Sequence, residues 1–138
     1  MLRPLAFNVA REFLGLAKEV KECICREKRV QTCSITINQG LFRTCISRAY
    51  YSVFIMARYI TNLEYYGRPD VHEKVIKRLK DMGLEDVADK LFKLRKERNK
   101  ADYDVYFNVT SDSMKYVVDI AENVMEALEK MLPSYPPS

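Results

Sequence analysis

The chain has 138 residues, 48% hydrophobic and 30% charged, the size and balance of one globular domain with a real core. A formal charge of +4 neither identifies a nucleic-acid binder nor repels phosphate. One histidine, four glycines and a longest uncharged helical run of only Ala49 to Ala57 exclude His-Glu-x-x-His zinc chemistry, a Gly-rich phosphate loop and a membrane span.

Leu5, Val9, Phe13, Leu16, Ala17, Val20 and Ile24 recur at helical spacing, with Lys18, Lys21, Glu22 and Arg26 between them, which predicts an amphipathic first helix of about six turns. The β-branched stretch Val30 to Ile37 reads either as more helix or as an extended connection, and the expectation is a loop with a frayed helical end. Asn38 and Gly40 mark the start of the next element. From Leu41 to about Glu64, the stripe Phe42, Ile46, Ala49, Val53, Met56 and Ile60 is widened by Cys45, Tyr50, Phe54 and Ala57, so this central helix must be covered on most of its circumference.

The turn Gly67-Arg68-Pro69-Asp70 follows, and Asp70 with Glu73 reads as a capping box for a short helix from Val71 to Met82 closed by Gly83. A fourth helix is predicted from about Glu85 to Tyr103. After the link Asp104 to Val109, Ser111 or Asp112 is expected to cap a last helix with Met114, Val117, Val118, Ala121, Val124, Met125, Leu128 and Met131 in register. The tail from Pro133 to Ser138 is expected to be loose. With no convincing strand pair, the prediction is all-α: one domain over residues 1–138, an antiparallel up-and-down bundle of four to five helices.

The N-terminus lacks the apolar block of a signal peptide, so the expectation is a cytoplasmic protein without membrane attachment. Cys23, Cys25, Cys33 and Cys45 lack zinc-type pairing and read as reduced core or boundary residues, while a bridge from Cys23 or Cys25 to Cys33 stays open. No metal or cofactor is implied.

The functional clue lies in the fourth helix. At about 100° per residue, Arg95, Arg98 and Asp102 fall in a narrow sector centred on Leu91, continuing the apolar face of Leu84, Val87 and Ala88. The lysines around them, Lys90, Lys93, Lys96 and Lys100, read as a solvated face. Arg48 borders the central stripe beside Ser52. Arg48, Arg95, Arg98 and Asn99 are therefore the candidate phosphate ligands, Tyr103 offers a hydroxyl or stacking face, and Asp102 and Tyr51 belong to the polar network. The competing reading is a salt bridge between Arg98 and Asp102, joined by Arg48, that only sets helix register. His72, beside Glu73 in the first turn of the third helix, reads as an exposed or capping residue, with catalysis the alternative.

The stretch Arg43-Thr-Cys-Ile-Ser-Arg48-Ala-Tyr-Tyr-Ser-Val-Phe54, followed later by Leu94-Arg-Lys-Glu-Arg98-Asn-Lys-Ala-Asp-Tyr103-Asp, resembles the HEPN domain family, and within it the small stand-alone prokaryotic branch. The resemblance implies a helical bundle, a homodimer whose arginine-bearing helices line a shared cleft, and a minimal nucleotidyltransferase as partner, some such pairs acting as toxin and antitoxin. Active relatives are metal-independent ribonucleases with an arginine followed by a histidine. The arginine corresponds to Arg98, and Tyr103 stands where the histidine is expected. A phenol in place of an imidazole makes a poorer general base at neutral pH. In some relatives the partner transfers AMP to a tyrosine close behind the motif, and here Tyr103 and Tyr106 are nearest. Three functions stay open: a nucleotide- or RNA-phosphate binder, a non-catalytic interaction module, and an endoribonuclease using Arg98 with Tyr103 or His72.

Overall fold

The computed structural model describes residues 5–26 and 35–132, with residues 23–26 and 35–38 as backbone only. Five helices make up the described part: α1 (Leu5–Arg26), α2 (Ile35–Ile60), α3 (Val71–Asp81), α4 (Glu85–Tyr103) and α5 (Ser111–Glu129). They form the expected all-α antiparallel bundle. The expectations for residues 30–34, for Cys33, for the side chains of Cys23 and Cys25, and for the tail 133–138 lie outside what is described.

Helix α2 is the axis, packed against α1, α4, α5 and, more lightly, α3. Ile46, Ala49, Tyr50, Val53, Met56 and Ala57 are all buried along it, so its near-continuous apolarity reflects neighbours on several sides. Helix α5 buries Met114, Val117, Val118, Ala121, Val124, Met125 and Leu128 in the predicted register, while Met131 lies past its end and is exposed. Three ion pairs show how α1 and α5 run: Arg11–Glu129 at 3.0 Å, Lys18–Glu122 at 4.0 Å and Lys21–Asp119 at 2.6 Å. Each advance along α1 is matched by an equal retreat along α5, as antiparallel neighbours require. Exposed pairs of this kind add little stability and serve here as a register mark.

Several local expectations need correction. The buried face of α1 is Ala6, Phe7, Ala10, Leu14 and Ala17, rotated from the predicted stripe, and Leu5 and Leu16 face solvent. Alanines at the contact let two helix backbones approach closely, which outweighs burying the larger Leu5 and Leu16. Helix α2 starts at Ile35, before Asn38 and Gly40, because a tertiary anchor overrides local propensity. The Gln39 side chain donates to Val109 O at 2.7 Å and accepts from Val109 N at 3.1 Å. The helix stops at Ile60 rather than near Glu64, where Asn62 turns left-handed at φ 61° and Leu63 N donates back to Arg58 O at 2.8 Å. Arg58 then donates to the carbonyls of Leu63, Glu64 and Tyr66, pinning the turn that follows the helix back onto α2.

Neither cap is the expected one. Asp70 precedes α3 but makes no side-chain cap, because its carboxylate accepts the Tyr66 hydroxyl at 2.7 Å. Thr110, not Ser111 or Asp112, caps α5 by accepting from Ser113 N at 3.1 Å. Gly83 does close α3, at φ +80°, with Gly83 N donating to Lys80 O and Leu84 N to Leu79 O. An alanine Cβ there meets nothing within 4 Å, so the loss is purely conformational. Gly83→Ala should lower stability by about 1 kcal/mol, whereas Gly40→Ala, inside α2 and equally unobstructed, should raise it by a similar amount, as read from urea midpoints.

Cys45 is buried on α2 and its thiol donates to Ala17 O at 3.3 Å. Burial pushes this thiol up to about 12, with Lys21 opposing only weakly, so it behaves as a core residue and not as a nucleophile. Among the described residues no helix is long and apolar enough to cross a membrane.

Candidate functional site, a caged arginine

Arg98 occupies the position on α4 where the core stripe of Val87, Leu91 and Leu94 would place another apolar residue, and only 6% of it is exposed. Its guanidinium carbon lies 5.2 Å from the Tyr50 ring centre, 5.4 Å from Tyr51 and 5.6 Å from Tyr103. Tyr50 and Tyr51 are consecutive on α2, about 100° apart around its axis, and their rings meet edge-on at 5.6 Å. They flank the arginine as two walls, and Tyr103, at the last position of α4, forms the third. Three π faces within about 6 Å of one cation replace part of its lost hydration.

The polar partners of Arg98 are few. Its Nη1 donates to the Tyr103 hydroxyl at 3.3 Å and lies 3.7 Å from Asp102 Oδ2, too far for a hydrogen bond, while Nε is buried without a partner. Asp102 Oδ2 also accepts from the Ser47 hydroxyl at 3.3 Å. One turn earlier, Arg95 donates to Glu73 Oε1 of α3 at 3.2 Å, and its Nε too is buried and unpaired. Ionic pairing accounts for only part of what these two guanidiniums can donate.

His72 is brought to the same place by α3. Its ring stacks on Phe54 at 4.2 Å and its Nδ1 lies 2.6 Å from the Tyr50 hydroxyl. Burial, with Arg95 and then Arg98 adding to it, pushes the imidazole down to about 4, so it is neutral near pH 7. Burial also pushes the Tyr50 phenol up, keeping its proton, while Arg98 interacts with the phenol oxygen. Arg98 toward the Tyr50 oxygen, and the Tyr50 O–H toward His72 Nδ1, is the arrangement that fits the phenol and the imidazole; it leaves Arg98 Nε unpaired and His72 with its N–H on Nε2.

A folded-state value below the ordinary 6.5 means that the unfolded chain takes up the His72 proton first on acidification. The contribution of neutral His72 to stability is complete above about pH 6.5 and is lost as the pH falls toward 4. Urea titrations of the wild type and of His72→Gln at pH 7 and pH 5 should show a smaller acid loss in the variant, and parallel losses would contradict this assignment.

The other predicted residues lie apart from the cage. Arg48 is exposed, with its guanidinium 5.3 Å over the Phe13 ring of α1, and Asn99 is exposed on α4. The expected convergence of Arg48 with Arg95 and Arg98 is thus replaced by convergence of Tyr50, Tyr51, Tyr103 and His72 on Arg98. Tyr106 is 96% exposed on the link after α4.

Two residues of the site give little sign of their role in the sequence. Tyr50 looked like one more core aromatic, and Arg43 carried a visible signal, a charge on an otherwise apolar helix, without any indication of its partners. Arg43 Nη1 donates to the carbonyls of Ala101 and Asp104 at 3.0 Å and of Lys100 at 3.3 Å, its Nη2 donates to Phe107 O, and its Nε donates to Gln39 Oε1 at 3.3 Å. One side chain therefore ties the end of α4 and the link behind it to α2.

No curated protein matches the chain. The family model described as the HEPN domain matches residues 20–131, from the last turns of α1 to just past α5, with the whole arginine cage inside it. By that match, over most of its length, the chain belongs to the HEPN domain family.

Proposed function

We propose that this chain binds the phosphate of RNA or of a nucleotide through Arg98 and Arg95, acting as a homodimer with a minimal nucleotidyltransferase in a toxin-antitoxin-type arrangement. Membership of the HEPN family supports a nucleotide- or RNA-related role. The observation that carries the reading is a guanidinium at 6% exposure, held among three tyrosines, with an unpaired Nε and its carboxylate partner 3.7 Å away. A charge buried with so little pairing is expensive, and an incoming anion completes it. Tyr103, which is 71% exposed, marks the side from which the anion reaches Arg98. Arg48 and Asn99 act as outlying phosphate contacts.

Each phosphate neutralised on a single strand contributes a slope of about −0.7 to the logarithm of affinity against the logarithm of salt. Titration of a short single-stranded RNA into the wild type should give a slope that becomes shallower by about 0.7, the share of one phosphate contact, in Arg95→Ala. An unchanged slope would remove Arg95 from the site.

A second reading, a non-catalytic interaction module, is favoured by the way Arg95–Glu73 joins α4 to α3 and the Ser47 hydroxyl, donating to Asp102, joins α2 to α4. Under it, RNA affinity is negligible and loss of either arginine costs only stability. A third, endoribonuclease action by Arg98 with Tyr103, predicts cleavage in chelator that disappears in Arg98→Ala and in Tyr103→Phe. The exposed hydroxyls of Tyr103 and Tyr106 are the acceptors for AMP transfer in this scheme, the phenol oxygen bonding to the α-phosphorus of ATP with release of pyrophosphate. Mass spectrometry after incubation with a cognate transferase and ATP should show the adduct on one of these two residues.

A further inference from the structure

Beside the cage lies an open cleft of about 490 Å³ between the first turns of α2, the end of α4 and the link to α5. That volume is within the range of about 300–1,000 Å³ typical of small-molecule sites. Most of the cleft's polar groups are already committed. Gln39 spends its carbonyl and one amide hydrogen on Val109 and Arg43, and Arg43 is held by Gln39 and four carbonyls, so both side chains of the α2 wall are fixed in place by the fold.

What remains is a small and specific set. Asp102 lines the cleft, and its recorded contacts, Ser47 and Arg98, both use Oδ2, which leaves Oδ1 as an acceptor. Asn108 lines it with an amide that both donates and accepts. Tyr106 lines it with a ring that is 96% exposed. The ring sits on a link held by the Arg43 bonds and by Tyr106 N donating to Asp104 Oδ1 at 3.2 Å, so it is presented on a fixed frame.

We propose that this cleft is the nucleoside subsite for one unpaired ribonucleotide whose phosphate is held by Arg98, with the base stacked on Tyr106, a ribose hydroxyl donating to Asp102, and Asn108 against the base edge. The three groups are the chemical complement of a nucleoside: an acceptor for a sugar hydroxyl, a mixed donor and acceptor for a base, and a π face for its ring. Arg43 and Asp102 leave the cleft wall without net charge, so the phosphate goes to the guanidinium of Arg98 beyond Asp102. The assignment rests on the reading of Arg98 as a phosphate ligand, and it adds a preference for ribose over deoxyribose and for single strands over duplex.

The test uses the full chain with two probes, the hexanucleotides rA6 and dA6. The wild type should prefer rA6 severalfold, Asp102→Ala should erase that preference by bringing the ratio of rA6 to dA6 affinity to about one, and Tyr106→Ala should weaken both probes roughly tenfold. Because the natural chain contains no tryptophan, Tyr106→Trp supplies a single reporter, and its fluorescence should be quenched as rA6 binds. Tyr106 is 96% exposed, so its substitutions should not move the melting temperature, whereas Asp102→Ala removes the carboxylate beside buried Arg98 and is read only through the ratio of rA6 to dA6 affinity. If rA6 binds Tyr106→Ala as tightly as the wild type but fails to bind Arg98→Met, the subsite is wrong while the phosphate site stands. If neither probe binds the wild type, the Arg98 reading falls and takes the subsite with it. A dimer dissociating in Tyr106→Ala with rA6 affinity unchanged would assign this face to a second copy of the chain and overturn the proposal.

Discussion

Arg98→Met is expected to abolish affinity for single-stranded RNA while leaving the melting temperature within a few degrees of the wild type, or above it. Methionine keeps most of the length and apolar volume of the arginine stem among Tyr50, Tyr51 and Tyr103. The substitution gives up cation–π attraction of about 0.5–2 kcal/mol per well-placed ring. It also relieves the burial of a charge whose Nε has no partner, worth about 1–3 kcal/mol or more. These terms are of similar size and opposite sign, and Asp102, with a quarter of its side chain exposed, is rehydrated when its partner goes. Replacing a buried ion pair by apolar groups of similar shape is often neutral or stabilising for the same reasons. Arg98→Ala differs, because it also opens a cavity and should cost about 2–4 kcal/mol. Thermal melts and RNA titrations of the two variants separate function from architecture. A methionine variant that melts far below the wild type yet still binds RNA would make the cage a purely structural device.

Arg43→Ala is expected to lower the stability of the bundle by about 2–4 kcal/mol, an unusual loss for a partly exposed arginine. The side chain joins positions far apart in sequence, from Gln39 on α2 to the carbonyls of Lys100, Ala101, Asp104 and Phe107. Two of these carbonyls belong to the last turn of α4, where Lys100 O also accepts from Asp104 N at 3.1 Å and Ala101 O takes its donor from Arg43. Lysine offers one ammonium in place of a planar fork and cannot reach all four, so Arg43→Lys should recover less than half of the loss. Urea denaturation measures the global effect. Amide exchange at Phe107 and Val109 should rise by more than the global loss explains, because the link is released locally. An unmoved urea midpoint in Arg43→Ala would show that the link holds its shape without the clamp. If the clamp does orient Tyr106, the same variant also weakens rA6 binding with Arg98 intact.

Much of this protein was legible in its sequence alone. The apolar period of α4 and α5, the stop at Gly83 and the helical class of the whole chain are properties of neighbouring residues, and local sterics with a 3.6-residue repeat are enough to establish them. So was the anomaly of arginine on a core stripe, which burial of Arg98 bears out. The tertiary structure alone decided what surrounds that arginine. Tyr50 and His72 lie 48 and 26 positions before it in the chain, and only the rotation and stagger of α2 and α3 against α4 bring them to it. The same applies to Arg48, which a small angle around α2 turns toward Phe13 and away from the cage. It applies as well to Asp70, which keeps the N-cap position but turns its carboxylate to Tyr66, and to Thr110, which caps α5 one residue before the site that spacing suggests. A periodic pattern specifies which face of a helix is buried, but not what lies opposite it, because that depends on the relative placement of rigid elements joined by loops whose geometry local sequence does not encode.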